Sequence, residues 1–210
     1  MTDHPLKRLF APVTRVLSTA GTLVGVRTSP EPKYQLLADH GDIQLRAYPA
    51  LIVAETVVAS DYEAAGKTGF YRLAGYIFGG NRQQQQMAMT TPVFREATGE
   101  KIAMTAPVLQ QAQQDAWTLA FVMPATYTLD SLPLPLDPLV TLKQIPAKKV
   151  AVLRYSGRLT PATIQENSQR LLDWLQQQSL YPVSIPRSAA YDPPWTLPAL
   201  RRNEIHVDIA

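Results

Sequence analysis

Ile43-Gln-Leu-Arg-Ala-Tyr-Pro-Ala50 returns 97 residues later as Val140-Thr-Leu-Lys-Gln-Ile-Pro-Ala147. In both copies a run of alternating character stops at a proline, which cannot donate to a strand ladder. Val53-Ala54 recurs as Val150-Ala151 at the same offset. Leu51 to Val58 resumes the strand pattern in the first copy, and a helix signal follows in both. In the second copy Thr160 is a favourable N-cap and Pro161 suits the first turn. Ile164, Leu171 and Leu175 there share an inward face, with Ser168 between them. Ile205, Val207 and Ile209 then alternate with Glu204, His206 and Asp208, which predicts a closing strand with one wet face. Each half reads strand, strand, helix, strand, strand. The fold class expected is α+β: a duplicated β-α-β-β unit forming a distorted antiparallel β-barrel or curved sheet, flanked by two helices.

The first-half helix lies in Ser60 to Gly80, SDYEAAGKTGFYRLAGYIFGG. Ser60 and Glu63 have capping-box spacing, and Gly79-Gly80 supplies a residue able to take the left-handed conformation that ends a helix. Between these signals run two apolar stripes. Phe70, Leu73 and Ile77 form one. Tyr71, Ala74 and Phe78 form the other, with Lys67 one turn before Tyr71. A surface helix normally carries a single stripe. Two stripes mean either that the domain covers the helix on both sides, or that the helix lines an apolar groove with a cation at one end. Such a groove suits a flat apolar ligand bearing a carboxylate.

Between the two helices, Met87-Ala-Met-Thr-Thr-Pro-Val93 is echoed by Ile102-Ala-Met-Thr-Ala-Pro-Val108. These read as two antiparallel strands of a hairpin, each ended by its proline, with Glu96 to Glu100 as the turn-rich link. Trp117, Leu119, Phe121 and Met123 mark a half-buried strand that stops at Pro124. Residues 125–138, rich in proline and leucine, read as a connecting loop. Leu6, Leu9, Phe10, Val13, Val16 and Leu17 recur at helical spacing among Lys7, Arg8 and Arg15, interrupted by Pro12 and Gly21. This N-terminal segment, 1–33, is either a helix packed on the domain, a tail, or a basic amphipathic helix making weak membrane contact through residues 1–30. Residues 34–210 form the domain.

The chain is 210 residues long, 46% hydrophobic and 18% charged, with 18 prolines and no cysteine. That supports one domain of short strands and excludes disulfides and cysteine-held metals. A net charge of +3, without blocks of basic residues, argues against nucleic acid as a partner. No apolar run reaches the roughly 20 residues of a spanning helix, and no secretory signal is evident.

Catalytic signals are sparse. His4 falls in the N-terminal segment, His40 in the turn Ala-Asp-His-Gly-Asp, and His206 on the polar side of the last strand. None has metal-ligand spacing, and there is no phosphate loop or nucleophile elbow. Glu55 shares a strand face with Val53 and Val57, where a desolvated carboxylate could act as a general base. The segment Tyr191-Asp-Pro-Pro-Trp-Thr-Leu-Pro-Ala-Leu-Arg-Arg-Asn-Glu204 is stiffened by prolines. It carries Tyr191 and Trp195 where solvated loops usually have neither. Pro194, Trp195 and Arg201 could cap an apolar ligand and hold an acidic group. Equally, the loop packs on the core and its arginines are solvated.

These residues resemble the SOUL/haem-binding protein family. The matching pieces are Tyr34 followed by Ile43-Gln-Leu-Arg46, Ala54-Glu55-Thr56, Phe70 through Asn81, Lys101-Ile-Ala-Met-Thr-Ala-Pro-Val108, Phe121-Val-Met-Pro124 and Gly157. To these add Ala190-Tyr-Asp-Pro-Pro194 and Arg201-Arg-Asn-Glu-Ile205. The resemblance implies a duplicated fold with two flanking helices and a haem or other porphyrin as ligand, bound between the first long helix and the loop before the last strand. It implies Lys67, Phe70, Tyr71 and Ala74 on the helix side, and Tyr191 with its following loop, which holds Pro194, Trp195 and Arg201, on the other; the second stripe adds Phe78 to the candidate site. Ala47 stands where one branch of the family carries a histidine proposed as an axial ligand. The expected function is non-catalytic binding or carrying of a tetrapyrrole by a cytoplasmic monomer. The alternatives are a small-molecule effector-binding or hydrolase domain of related fold using Glu55, and a membrane-associated scaffold.

Overall fold

The computed structural model describes residues 27, 29–98 and 116–210. In chain order the elements are β1 (Gln35–His40), β2 (Ile43–Tyr48), β3 (Leu51–Ala59), α1 (Tyr62–Ile77), β4 (Val93–Ala97) and β5 (Ala116–Val122). The second half supplies β6 (Thr141–Ile145), β7 (Lys148–Tyr155), α2 (Pro161–Gln177), β8 (Arg187–Ala190) and β9 (Asn203–Ile209). All strands join one antiparallel, curled half-barrel sheet in the order β1-β2-β7-β9-β8-β4-β5-β3-β6.

The duplication is visible in the pairing itself. With β6 to β9 taken as the counterparts of β2 to β5, reading the sheet from either end gives the same order, with an approximate two-fold between β4 and β8. Among the described residues, β1 alone has no counterpart strand. The register obeys the repeat: Arg46 lies opposite Val150, and Lys143 opposite Val53. Each partner is therefore 97 residues from its mate, as the sequence repeat requires. The halves embrace, since the first strand of each pairs with the second strand of the other.

The helices pack on one face of the sheet. Leu73, Tyr76 and Ile77 of α1 cluster with Ala54, Leu119 and Phe121. Leu171 and Leu175 of α2 cluster with Ile43, Leu153, Ile205 and Val207. On the opposite face, Val150 and Val152 meet Tyr48, and Val53 meets Ala120 and Val122. Helix α1 comes close to the sheet at Gly69, where a Cβ would lie 2.8 Å from Leu119 Cδ1.

Four expectations change on folding. Helix α1 is capped by Asp61, whose carboxylate accepts the Ala64 N–H at 2.9 Å, one residue later than the expected Ser60 box. Its end is as expected: Gly79 has φ +109°, and Gly80 N–H closes on Gly75 O at 2.8 Å. Residues before Pro92 are not a strand ended by that proline; β4 begins after it. Met87 N–H goes to Ile77 O and Thr91 N–H to Pro30 O, so this backbone is satisfied outside the ladder. The proposed partner strand, residues 102–108, lies outside the described residues. A strand before Ile43, not expected from the sequence, forms as β1 against β2. Finally, β9 has no wet face: Glu204 and His206 are each only 1% exposed, closed over by Arg46, Tyr48 and Tyr191.

Candidate functional site

The two apolar stripes of α1 meet different fates. Leu73 and Ile77 enter the core, with Phe70 at its margin and its ring 5.5 Å from Phe121. On the second stripe Ala74 is buried, but Tyr71 is 66% and Phe78 62% exposed. Double coverage is therefore not what the described residues show: the second stripe is an open apolar ridge, with exposed Lys67 one turn before Tyr71. The 125–138 connector lengthens it. Arg82 N–H reaches Leu134 O, and Leu136 N–H reaches Gly80 O, which sets exposed Leu134 and Leu136 beside the C-terminal end of α1. Sequence reading passed over these leucines. The signal was available, because a solvated loop seldom carries so many.

The other candidate stretch leaves the sheet at Ala190. Ala190 is opposite Val93, Val93 opposite Phe121, and Phe121 opposite Ala54. This line of paired residues runs from the root of the β8–β9 loop to the strand under Phe70. Within the loop Tyr191 is buried. Its hydroxyl donates to Glu204 Oε2 at 2.6 Å, and the Arg202 guanidinium lies 3.6 Å from its ring centre. Burial first, then the charge of Glu204, pushes the phenol well above its ordinary pKa. Trp195 is 57% exposed and Pro194 is exposed. Arg201 is not a solvated arginine: Nε donates to Thr196 O at 2.7 Å and Nη2 to Pro194 O, so it staples the loop it belongs to. Arg27, which joins Asp192 and Leu200 O, ties the loop to the chain ahead of β1.

Behind Tyr191 the face opposite the helices holds a buried polar network that sequence reading did not assemble. Arg46 makes a bidentate pair with Glu204, donates to Gln44 Oε1 and bonds Tyr48. His206 Nε2 lies 2.8 Å from Glu204 Oε2. Burial pushes His206 down to about 4, outweighing the raising effect of Glu204, so at neutral pH the ring is neutral and donates. Burial alone would raise Glu204, but His206 and Arg46 hold it well below the carboxylate range. Strand alternation had placed these groups on one face; it could not show that the face is closed.

Glu55 is half-buried, with Oε1 3.7 Å from Lys143 Nζ. The His40 ring lies tilted against Trp174, with centroids 5.1 Å apart, on α2 rather than α1. Among the described residues no cluster of three metal-ligating side chains occurs, and no helix is long and apolar enough to cross a membrane. The basic N-terminal helix expected over Leu6 to Leu17 lies outside the described residues.

The fold is a duplicated α+β architecture with a helix on each half, and α1 carries the open ridge. The chain belongs to the SOUL heme-binding protein family, whose model matches residues 29–208. None of the curated protein sequences matches it. Among solved structures, the EcmrR C-terminal domain superposes with a TM-score of 0.56 at 13% identity, covering 84% of this chain and 98% of that one. A hydrolase from Listeria innocua superposes with a TM-score of 0.53 at 9% identity, covering 83% and 94%. At such identities the likeness is one of fold alone.

Proposed function

We propose that this protein binds and carries haem or a related tetrapyrrole, without catalysing a reaction, on the outward ridge of α1. The observation that carries the reading is the exposure of Tyr71 and Phe78 on one helix face, in a chain of a family described as haem-binding. A macrocycle laid on this ridge would cover Tyr71, Phe78 and the edge of Phe70, with Ala74 giving a flat floor between them. At about 25 cal/mol per Å2 of apolar surface, such contact supplies useful affinity without a strong bond to iron. Lys67 is placed to meet a propionate. Pro194, Trp195 and Arg201 would form the second wall, on a loop rooted by Tyr191.

Bound haem would supply an iron centre; the chain would supply orientation and an apolar cover. Tyr71 is the exposed phenol on the ridge, whereas the Tyr191 hydroxyl is committed to Glu204. Neither His40, packed on Trp174, nor buried His206 belongs to this face. The test is a haemin titration followed by absorption. We expect a weakly ligated ferric spectrum, unchanged by His40→Ala and weakened about tenfold or more by Tyr71→Ala with Phe78→Ala, as loss of two large apolar contacts requires. No spectral change on titration, or a sharp bis-histidine spectrum lost with His40→Ala, would overturn the reading.

A further inference from the structure

The duplication gives each helix an equivalent flank, and the two flanks are not treated alike. The buried set Leu73, Tyr76 and Ile77 of α1 is matched by Leu171, Trp174 and Leu175 of α2, 98 residues on. Arg72 is likewise matched by Arg170. Each arginine reaches the segment that precedes the first strand of a half: Arg72 Nε lies 3.2 Å from Asp137, and Arg170 pairs with Asp42. On α1 this flank is filled by the chain itself. Leu132 is buried with Leu73 and Tyr76, and the Tyr76 hydroxyl donates to Pro133 O at 2.9 Å. On α2 the corresponding segment is drawn away into the sheet as β1, joined to β2 by a tight turn at Gly41. An open cleft of about 750 Å3 is left between that turn and α2.

The walls of this cleft differ from their filled mate in a consistent direction. Trp174, with the His40 ring tilted against it, stands at the Tyr76 position and is an aromatic part of the lining. The lining carries Asp42, Glu166 and Asp173 against one arginine, Arg170, so its carboxylates outnumber its guanidinium groups.

We propose that this cleft is a docking site for an extended, proline-containing basic peptide segment of a partner protein. The fold shows what fills the equivalent flank: a Leu-Pro stretch with Leu132 buried, Pro133 O accepting from the Tyr76 hydroxyl, and Leu134 and Leu136 bonded to the backbone of Arg82 and Gly80. The charge shows how this copy would select its occupant, because lysine or arginine following the apolar residue meets Glu166 and Asp173. Complementary charge of this kind sets specificity and encounter rate more than raw affinity. The site lies on the helix remote from the α1 ridge and does not depend on tetrapyrrole binding.

The full chain, labelled with 15N, would be titrated with two capped hexapeptides, Ser-Leu-Pro-Leu-Lys-Arg and Ser-Leu-Pro-Leu-Glu-Glu. The basic peptide should shift amide signals of His40, Asp42 and the Glu166–Gln177 stretch, and leave those of Lys67–Phe78 in place. The Glu166→Lys, Asp173→Lys double variant, altered only at exposed or half-exposed positions, should weaken that binding about tenfold or more and admit the acidic peptide instead. Equal binding of both peptides by the unaltered chain, no shift with the basic one, or equally strong binding of arginine amide alone would each overturn the proposal. The last result would make the cleft a small-cation site.

Discussion

Arg46 on β2 and Glu204 on β9 stand 158 residues apart and form a two-bond pair, Nη1 to Oε2 at 3.0 Å and Nη2 to Oε1 at 3.1 Å, with both side chains at most 3% exposed. Neither strand touches the other; β7 lies between them. The pair therefore spans a strand on the face opposite the helices, and it anchors Gln44, Tyr48, Tyr191 and His206. Removing one member leaves the other as a buried unpaired charge. Arg46→Met or Glu204→Leu should each destabilise the protein by about 3–5 kcal/mol, while the double variant should recover most of the loss. Equilibrium denaturation of the three variants checks this; additive losses would contradict it.

His206 makes stability depend on pH in a defined window. Its pKa is lowered on folding, from the usual 6.5 to about 4. Between those values the unfolded chain binds more protons than the folded one, so stability rises with pH. It is full above about pH 6.5 and lost as pH falls towards 4, by an amount on the order of 2–3 kcal/mol. His206→Gln should flatten the stability curve in that window, which denaturant midpoints measured between pH 4 and 7 would reveal.

Helix α1 seats on the sheet through Gly69. A Cβ there would meet Leu119, itself fully buried and in the core cluster of α1. Gly69→Val should cost about 2 kcal/mol, the usual order for overpacking a filled core. Gly75→Ala, where a Cβ meets nothing within 4 Å, should instead be neutral or stabilising by up to about 1 kcal/mol from helix propensity. Thermal midpoints of the two variants should move in opposite directions or, at the least, differ clearly.

If the α1 ridge holds a tetrapyrrole, Lys67 is its carboxylate partner. Lys67→Glu should weaken a dicarboxylate porphyrin by roughly 1–2 kcal/mol through loss of a charge-assisted contact and added repulsion. The corresponding porphyrin ester should be nearly indifferent. Titrations showing the same loss for acid and ester would remove Lys67 from that role.

The sequence by itself determined the duplicated path, the limits of most strands, both helices and the two-striped character of α1. Alternation, caps and prolines act within a few residues of chain, and the 97-residue repeat is legible by comparing two stretches of sequence without any contact between them. What it could not determine were relations across the sheet. The strand Glu204-Ile-His206 reads as half wet because alternation reports polarity, not cover; its burial follows from lying between β7 and β8 with Arg46, Tyr48 and Tyr191 closing its polar side. Likewise, two apolar stripes on α1 are compatible with full cover or with an open ridge. Only packing on β3 and β5 decided that Leu73 and Ile77 go inward while Tyr71 and Phe78 stay out. The contrast between the filled flank of α1 and the open flank of α2 is also tertiary. It depends on β1 folding back onto β2 across the two-residue turn Gly41-Asp42 as an extra edge strand, a pairing that the Tyr34–His40 stretch, without clear alternation, does not announce.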